Sequence, residues 1–112
     1  MEFAEMQEQA RTVRRLYAAE EARRYGRSWN DEELMLGFLG DVGDLAKLVQ
    51  AHEGVRPGPE DLAGALAHEL ADCLWSVLVI ADEVGVDLQS AFTGTMDALE
   101  HYVRARLDGT SG

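Results

Sequence analysis

The chain has 112 residues, of which 46% are apolar and 28% are charged, as is typical of one soluble globular domain. Its 21 acidic residues outnumber its 10 Lys and Arg residues. The resulting net charge of −11 argues against a general nucleic-acid binder, because phosphate backbones are held by basic surfaces. The single cysteine, Cys73, excludes an intrachain disulfide framework and a cysteine-based zinc site.

The first predicted helix covers residues 2 to about 25 and ends near Gly26, with apolar residues at spacings of three and four. This N-terminal segment lacks the apolar core of a signal peptide. Apolar runs elsewhere are interrupted before they reach about 18 residues, the length of a membrane span. We therefore expect a cytoplasmic protein that does not enter membranes.

The second predicted helix begins at SWNDEEL, where Asn30 can cap the helix and Glu33 completes a capping box. Trp29 is explained by hydrophobic packing against the first turn of this helix. The apolar pattern continues to about Glu53, and Gly54 is the expected C-terminal stop.

The third predicted helix follows the loop GVRPGPED, with Pro59 in its first position, and continues to Val84. Its centre, LADCLWSVLVIA, is apolar nearly all round, so we expect it to be the most buried helix. Asp87 caps a fourth predicted helix that continues to about Leu107, and residues 108–112 are expected to form a flexible tail.

Four helices joined by short connections predict an all-α fold, an antiparallel four-helix bundle formed by a single domain over residues 1–112. The core of this domain is expected over about residues 29–107. A four-helix chain with so many apolar residues is expected to keep a hydrophobic face for another subunit. We therefore predict a helical oligomer.

Two pairs of acids lie in the middle of the second and third helices. Asp41 and Asp44 form D-x-x-D, and Glu69 and Asp72 form E-x-x-D, so each pair lies on one helix face about 5–6 Å apart. Four acids can then converge between two neighbouring helices. Their mutual repulsion is relieved by divalent cations, and an oxygen-only ligand set suits Mg²⁺ or Mn²⁺. A phosphate-bearing substrate follows naturally, because Mg²⁺ commonly bridges carboxylates to phosphates.

Three glycines accompany the first acid pair. Gly37, Gly40 and Gly43 recur every three residues, and each costs about 1 kcal/mol relative to alanine in a helix interior. Such a strip allows a neighbouring helix or a flat ligand to approach the backbone. Taken alone, the glycines favour close helix packing without a ligand, and D-x-x-D alone favours a solvated helix face. The two acid pairs together favour a site.

Two other candidate residues, Lys47 and Trp75, have two interpretations each, and His68 has one. Lys47 lies one turn past Asp44 and can contact phosphate or form a surface salt bridge. Trp75 can stack on a nucleotide base or belong to the core. His68 is adjacent to Glu69 and is therefore expected to point away from the metal face.

The segment GDVGDLAKL, followed after a gap of 24 residues between the acid pairs by HELADCLWSVLVIADEVGVDL, resembles the MazG-like family of all-α nucleoside triphosphate pyrophosphohydrolases. The family signature is E-x-x-E, a gap, and then E-x-x-D. The resemblance covers about residues 29 to 100. It implies that Asp41, Asp44, Glu69 and Asp72 are the catalytic metal ligands for Mg²⁺, with Mn²⁺ as a substitute.

The reaction implied by the resemblance is hydrolysis of a nucleoside or deoxynucleoside triphosphate between the α and β phosphates, which removes unwanted nucleotides. The products are a monophosphate and pyrophosphate, and the metal ions would polarise the α-phosphate. Members of the family assemble as homodimers or homotetramers, so the same assembly is expected here. No nucleic-acid polymer is expected as a partner.

The sequence departs from the family pattern in its first motif. Asp41 and Asp44 stand where the family has glutamates, and Gly40 stands where another acid is often found. A shorter side chain either moves the metal or requires closer helices, which the glycine strip would allow. The alternative is a catalytically weak module that binds nucleotide or dimerises in a regulatory role.

Overall fold

The computed structural model describes residues 1–109, which form four α-helices and, within that range, no strand. The helices are α1 (Phe3–Tyr25), α2 (Asp31–His52), α3 (Leu62–Glu83) and α4 (Leu88–Leu107). The predicted all-α fold is confirmed. The flexible tail predicted over residues 108–112 lies outside the described residues from position 110 onward.

Short-range signals in the sequence determine most helix ends. The predicted capping box is present, because Asn30 Oδ1 accepts a hydrogen bond from the Glu33 amide at 2.9 Å and Glu33 Oε1 accepts one from the Asn30 amide at 3.2 Å. Gly26, Gly54 and Gly85 follow α1, α2 and α3 with φ of 81°, 79° and 73°. Glycine adopts this left-handed conformation at little cost, so each of these three helices ends where a glycine allows the chain to turn.

The predicted start of α3 was wrong by about three residues. Pro59 lies in the loop, and α3 begins at Leu62 with Asp61 as its N-cap. The Asp61 carboxylate accepts a hydrogen bond from the Gly64 amide at 3.1 Å. A side-chain acceptor satisfies one of the free amides of the first turn, whereas proline provides none, so the aspartate determines the boundary.

The core is formed where α3 packs against α1 and α2. Among the described residues, the buried set consists of Ala10 on α1 and four residues of α3, namely Ser76, Leu78, Val79 and Ala81. The prediction that α3 is the most buried helix is therefore confirmed. Long-range hydrogen bonds join α1 to α3: the Gln7 amide donates to the Leu78 carbonyl at 2.8 Å, and the Trp75 indole donates to the Ala10 carbonyl at 3.2 Å. At the exposed edge of the same contact, Arg11 donates to Asp82 Oδ1 at 2.9 and 3.0 Å.

The fourth helix is packed differently from the other three. Leu88, at its N-terminal end, packs against the core, and Ala105 is half-buried, whereas every other residue of α4 is exposed. Its large apolar side chains recur at helix-face spacing and are 40–62% exposed: Phe92, Met96, Leu99 and Val103. Within one chain, three helices form the bundle and α4 presents an uncovered apolar face, which we call the α4 face.

The shape of the chain agrees with this arrangement. The radius of gyration is 18.0 Å, whereas a compact domain of about 100 residues has roughly 13 Å. The described residues include no large side chain that is completely buried. One chain therefore covers only part of its own apolar surface.

By length and composition alone, α3 could also cross a membrane. The interrupted apolar pattern of the sequence had not indicated such a segment. The central helix of a soluble protein meets the same criteria, and α3 packs against two other helices here. It also carries Glu69 and Asp72 in its middle, where charged groups would be costly in lipid.

Candidate active site

Three of the four predicted metal ligands converge between α2 and α3. Asp41, Glu69 and Asp72 each offer one carboxylate oxygen, and these three oxygens lie within 4.8 Å of one another. They meet because α2 and α3 are packed neighbours and because the i, i+3 spacing places Glu69 and Asp72 on the same face of α3. We call these three residues the acid cluster.

Asp44 is not brought into the acid cluster. It is exposed on α2, one turn beyond Asp41, although its charge still raises the pKa of Asp41 and Glu69. The aspartate side chain is one methylene shorter than the glutamate of the family pattern, so its carboxylate reaches less far from the helix. Its role as a fourth ligand stays a prediction.

The acid cluster is electrostatically unfavourable when no cation is bound. Burial is the main cause that raises the pKa of Asp41, followed by the charges of Asp72 and Asp44. Burial also raises the pKa of Glu69, followed by the charges of Asp41 and Asp72. In addition, Glu69 Oε2 is buried without a hydrogen-bond partner among the described residues. A buried carboxylate oxygen in this situation requires an explanation, and a divalent cation is one that fits the donor set.

His68 lies at the edge of the acid cluster. Its Nε2 atom is 3.1 Å from Asp72 Oδ2, so the expectation that it points away from this region was wrong. The adjacency of His68 to Glu69 does not indicate this contact. The i, i+4 spacing between His68 and Asp72 was the signal that would have predicted the contact.

A cavity of about 510 Å³ opens beside the acid cluster, between α1, α2 and α3. Asp41 and Asp72 line part of its wall, so the cavity and the cluster are continuous. Its volume lies within the range of small-molecule sites. Much of the remaining wall is aromatic, contributed by Tyr17, Trp29, Phe38 and Trp75.

Trp75 belongs to both the core and the cavity. Its indole nitrogen donates to the Ala10 carbonyl, and its ring meets that of Tyr17 with centroids 5.7 Å apart and planes inclined by 56°. The hydrogen bond and the ring contact fix the orientation of this indole. The two interpretations made from the sequence are therefore compatible, because a ring anchored in the core can still present a face to a ligand.

Trp29 was assigned only a packing role at the start of α2, but it also lines the cavity. Its ring stacks on Tyr25 with centroids 5.5 Å apart, and the Arg27 guanidinium lies 5.7 Å from the ring centre. No local pattern could have indicated this second role, because it depends on how the loop between α1 and α2 closes.

Lys47 and the three glycines of the strip are all exposed, and the role of Lys47 as a phosphate contact stays a prediction. Lys47 is exposed and is not among the residues that line the cavity. A Cβ atom placed at Gly37, Gly40 or Gly43 would meet no atom of residues 1–109 within 4 Å. The expected close packing of a helix onto this strip is therefore wrong for the described chain, in which the strip is open and Gly37 borders the cavity.

Comparison with known proteins gives a consistent result. The sequence model of the MazG nucleotide pyrophosphohydrolase domain matches residues 3–103. The dCTP pyrophosphatase 1 proteins of Mus musculus and Rattus norvegicus are each 34% identical over 90 residues, which is 76% of this chain and 53% of theirs. The Homo sapiens protein of the same name is 34% identical over 104 residues, 88% of this chain and 61% of its own.

The chain thus spans little more than half the length of the curated relatives that it matches. A comparison with solved structures gave no match. The family match includes all four helices except the last turn of α4, and both acid pairs lie within it. This protein belongs to the MazG nucleotide pyrophosphohydrolase family.

Proposed function

We propose that the chain is a metal-dependent nucleoside triphosphate pyrophosphohydrolase that removes unwanted nucleotides. The observation that carries the proposal is the continuity of the acid cluster with an aromatic cavity. A nucleotide has the same two parts, a polyanionic chain and a flat base. Phosphates would lie at the acid cluster and the base among the aromatic rings, and the products would be a monophosphate and pyrophosphate.

In this proposal, Asp41, Glu69 and Asp72 would bind Mg²⁺, or Mn²⁺ in its place. Asp44, which is exposed one turn further along α2, would join them from the edge. When bound, the cation supplies neutralisation of the acids and polarisation of the phosphate under attack. The three carboxylates would hold that cation beside the cavity. The rings of Tyr17 and Trp75, which line the cavity, would pack against the base.

The substrate that we propose first is deoxycytidine triphosphate, since the similar proteins are named dCTP pyrophosphatases. The fixed Trp75 ring would stack on the base. Lys47, exposed one turn beyond Asp44, would contact the terminal phosphates outside the cavity.

We further propose that the protein works in the cytoplasm as a homodimer or homotetramer. The uncovered α4 face and the large radius of gyration support this assembly. Burying apolar surface contributes about 25 cal/mol per Å², so a second copy on this face would add substantially to stability.

The function is tested by measuring pyrophosphate release from a panel of nucleoside triphosphates with Mg²⁺, with Mn²⁺ and with a chelator. We expect metal-dependent release with a monophosphate as the second product. Asp72→Asn should reduce kcat/KM by about a hundredfold or more, because metal ligands contribute strongly to affinity and activity. Asp97→Asn, an exposed acid on α4, is the matched control and should behave like the wild type.

The position of Asp44 outside the acid cluster favours one second candidate, a regulatory module that binds nucleotide without turnover. Such a module would be stabilised against thermal unfolding by nucleotide with Mg²⁺ yet release no pyrophosphate. Release of orthophosphate instead of pyrophosphate, or metal-independent release, would contradict the main proposal.

A further inference from the structure

We propose that Glu21 is a specificity-determining residue that selects bases with an exocyclic amino group at C4 of a pyrimidine or C6 of a purine, as in cytosine and adenine. The proposal rests on the proposed function, because it assumes that the cavity receives the base of a nucleotide. It concerns the part of the cavity near the turn between α1 and α2, away from the acid cluster.

Glu21 is placed in the cavity by the periodicity of α1. Val13, Tyr17 and Glu21 are spaced by four residues, lie on one helix face and all line the cavity. On α2 the lining runs from Glu33 to Asp41, which corresponds to about 12 Å along the helix axis. A base that extends from phosphates at Asp41 toward the turn would therefore approach the region that contains Glu21.

The carboxylate of Glu21 is held in a fixed position. Oε1 accepts hydrogen bonds from the Trp29 amide at 2.8 Å and from Arg14 Nη1 at 3.3 Å. Arg14 Nη2 in turn donates to the Trp29 carbonyl at 2.7 Å, and the side chains of Arg14 and Glu21 are only 11% and 12% exposed. The ion pair compensates the charge of Glu21 and leaves its orientation determined.

The two oxygens of Glu21 differ in availability. Both hydrogen bonds are made to Oε1, so Oε2 can accept one from a ligand. Glu33, the other acid in this part of the wall, is already engaged: Arg27 donates to its Oε1 at 2.6 Å and to its Oε2 at 2.8 Å, and the Asn30 amide donates to Oε1. Glu21 is therefore the acid in this part of the cavity that can accept a hydrogen bond from a base.

An ionised carboxylate oxygen can only accept hydrogen bonds, so it favours a ligand group that donates one. The amino group of cytosine or adenine donates to it. Uracil, thymine and guanine carry a carbonyl oxygen at the corresponding ring position, and two acceptors would then face each other in a largely buried place. A site with a buried polar group rejects the base that cannot pair with it.

The first test needs no variant. We expect wild-type kcat/KM for pyrophosphate release to be about ten to a hundred times higher with dCTP than with dUTP, the effect of one hydrogen bond to a charged group. Calorimetry with Mg²⁺ should likewise show that dCMP binds more tightly than dUMP. Equal values for the two bases, or a preference for uracil, would overturn the assignment of Glu21.

The second test is Glu21→Gln, which keeps an oxygen for the Trp29 amide and replaces the other with an amide donor. We expect the dCTP to dUTP ratio to fall about tenfold or more, with thermal unfolding recorded to confirm folding. Glu20→Gln, the exposed neighbour on α1, is the matched control and should keep the wild-type ratio. An unchanged ratio in a folded Glu21→Gln protein would overturn the inference.

The two readouts separate the inference from the proposed function. Selective binding of dCMP without pyrophosphate release would support the role of Glu21 and contradict the enzymatic proposal. Pyrophosphate release at equal rates from dCTP and dUTP would support the enzymatic proposal and contradict the role of Glu21.

Discussion

The third and fourth helices are of similar length and both are rich in apolar residues, but their surroundings differ. Leu78 on α3 is 4% exposed between neighbouring helices, whereas Leu99 on α4 is 50% exposed. The two helices show that apolar residues on a helix indicate burial, but they do not indicate whether the same chain or another chain packs against them. The acid cluster and the cavity lie on the α3 side of this contrast.

The largest effect is expected from a truncation in the covered region. Leu78→Ala removes a buried side chain next to Ala10 and Val79, and we expect a loss of about 2–5 kcal/mol in the free energy of unfolding. Urea denaturation followed by circular dichroism measures it. Leu107→Ala, at an 81% exposed position, is the control and should change the stability by less than about 0.5 kcal/mol.

A smaller effect of a different kind is expected on α4. If a second copy covers the α4 face, Leu99→Ala loses about 1.5–3 kcal/mol of burial at the contact, and this loss should appear as weaker association. Sedimentation equilibrium should show dissociation at higher protein concentration than for the wild type. Asp97→Ala, two residues earlier, controls for changes outside the apolar stripe.

Unchanged association of Leu99→Ala would make α4 a solvated helix in the functional protein. The α4 face would then stay exposed in the assembled protein, whereas α3 is covered within each chain.

The smallest effect concerns the glycine strip. Because no atom of the described chain approaches Gly40, Gly40→Ala should stabilise the isolated subunit by about 0.5–1 kcal/mol through helix propensity. Thermal unfolding at low protein concentration measures this gain. Gly94→Ala on α4, where a Cβ also meets open space, is the matched control.

If a partner helix or a ligand lies against the strip in the working protein, the sign is reversed under assembled or nucleotide-bound conditions. Gly40→Ala would then be destabilised relative to the wild type, whereas Gly94→Ala would keep its gain. Equal gains under all conditions would show that the strip is never covered.

Much of the fold followed from local chemistry, and this explains what was predictable. The Asn30 and Glu33 capping box, the Asp87 cap and the glycines after three helices act within a few residues of the chain. The error at Pro59 arose from two competing local signals, of which the aspartate N-cap was the stronger. The segments against which a helix packs are distant in sequence, so the apolar pattern of α4 could not predict its exposure.

The candidate site was also predictable only in part. The spacing of Glu69 and Asp72, with α2 and α3 as neighbours, was sufficient to bring Asp41 toward them. It was not sufficient to place Asp44, because the reach of one shorter side chain depends on the exact separation of the helices. The roles of Trp29 and Glu21 in the cavity depend on the fold of the loop that follows α1, which no motif describes.

The unpartnered oxygen of Glu69 has a consequence for the stability of the whole protein. Because the pKa values of Asp41 and Glu69 are raised in the folded state, ionising them opposes folding. The metal-free protein is therefore expected to lose stability as the pH rises from the ordinary carboxyl pKa through the raised values, and a cation bound at the cluster would restore it by mass action. A chain selected only for stability would have neutralised one of these acids. If the acid cluster binds a divalent cation, as proposed, we predict that the fraction of folded protein depends on the concentration of that cation.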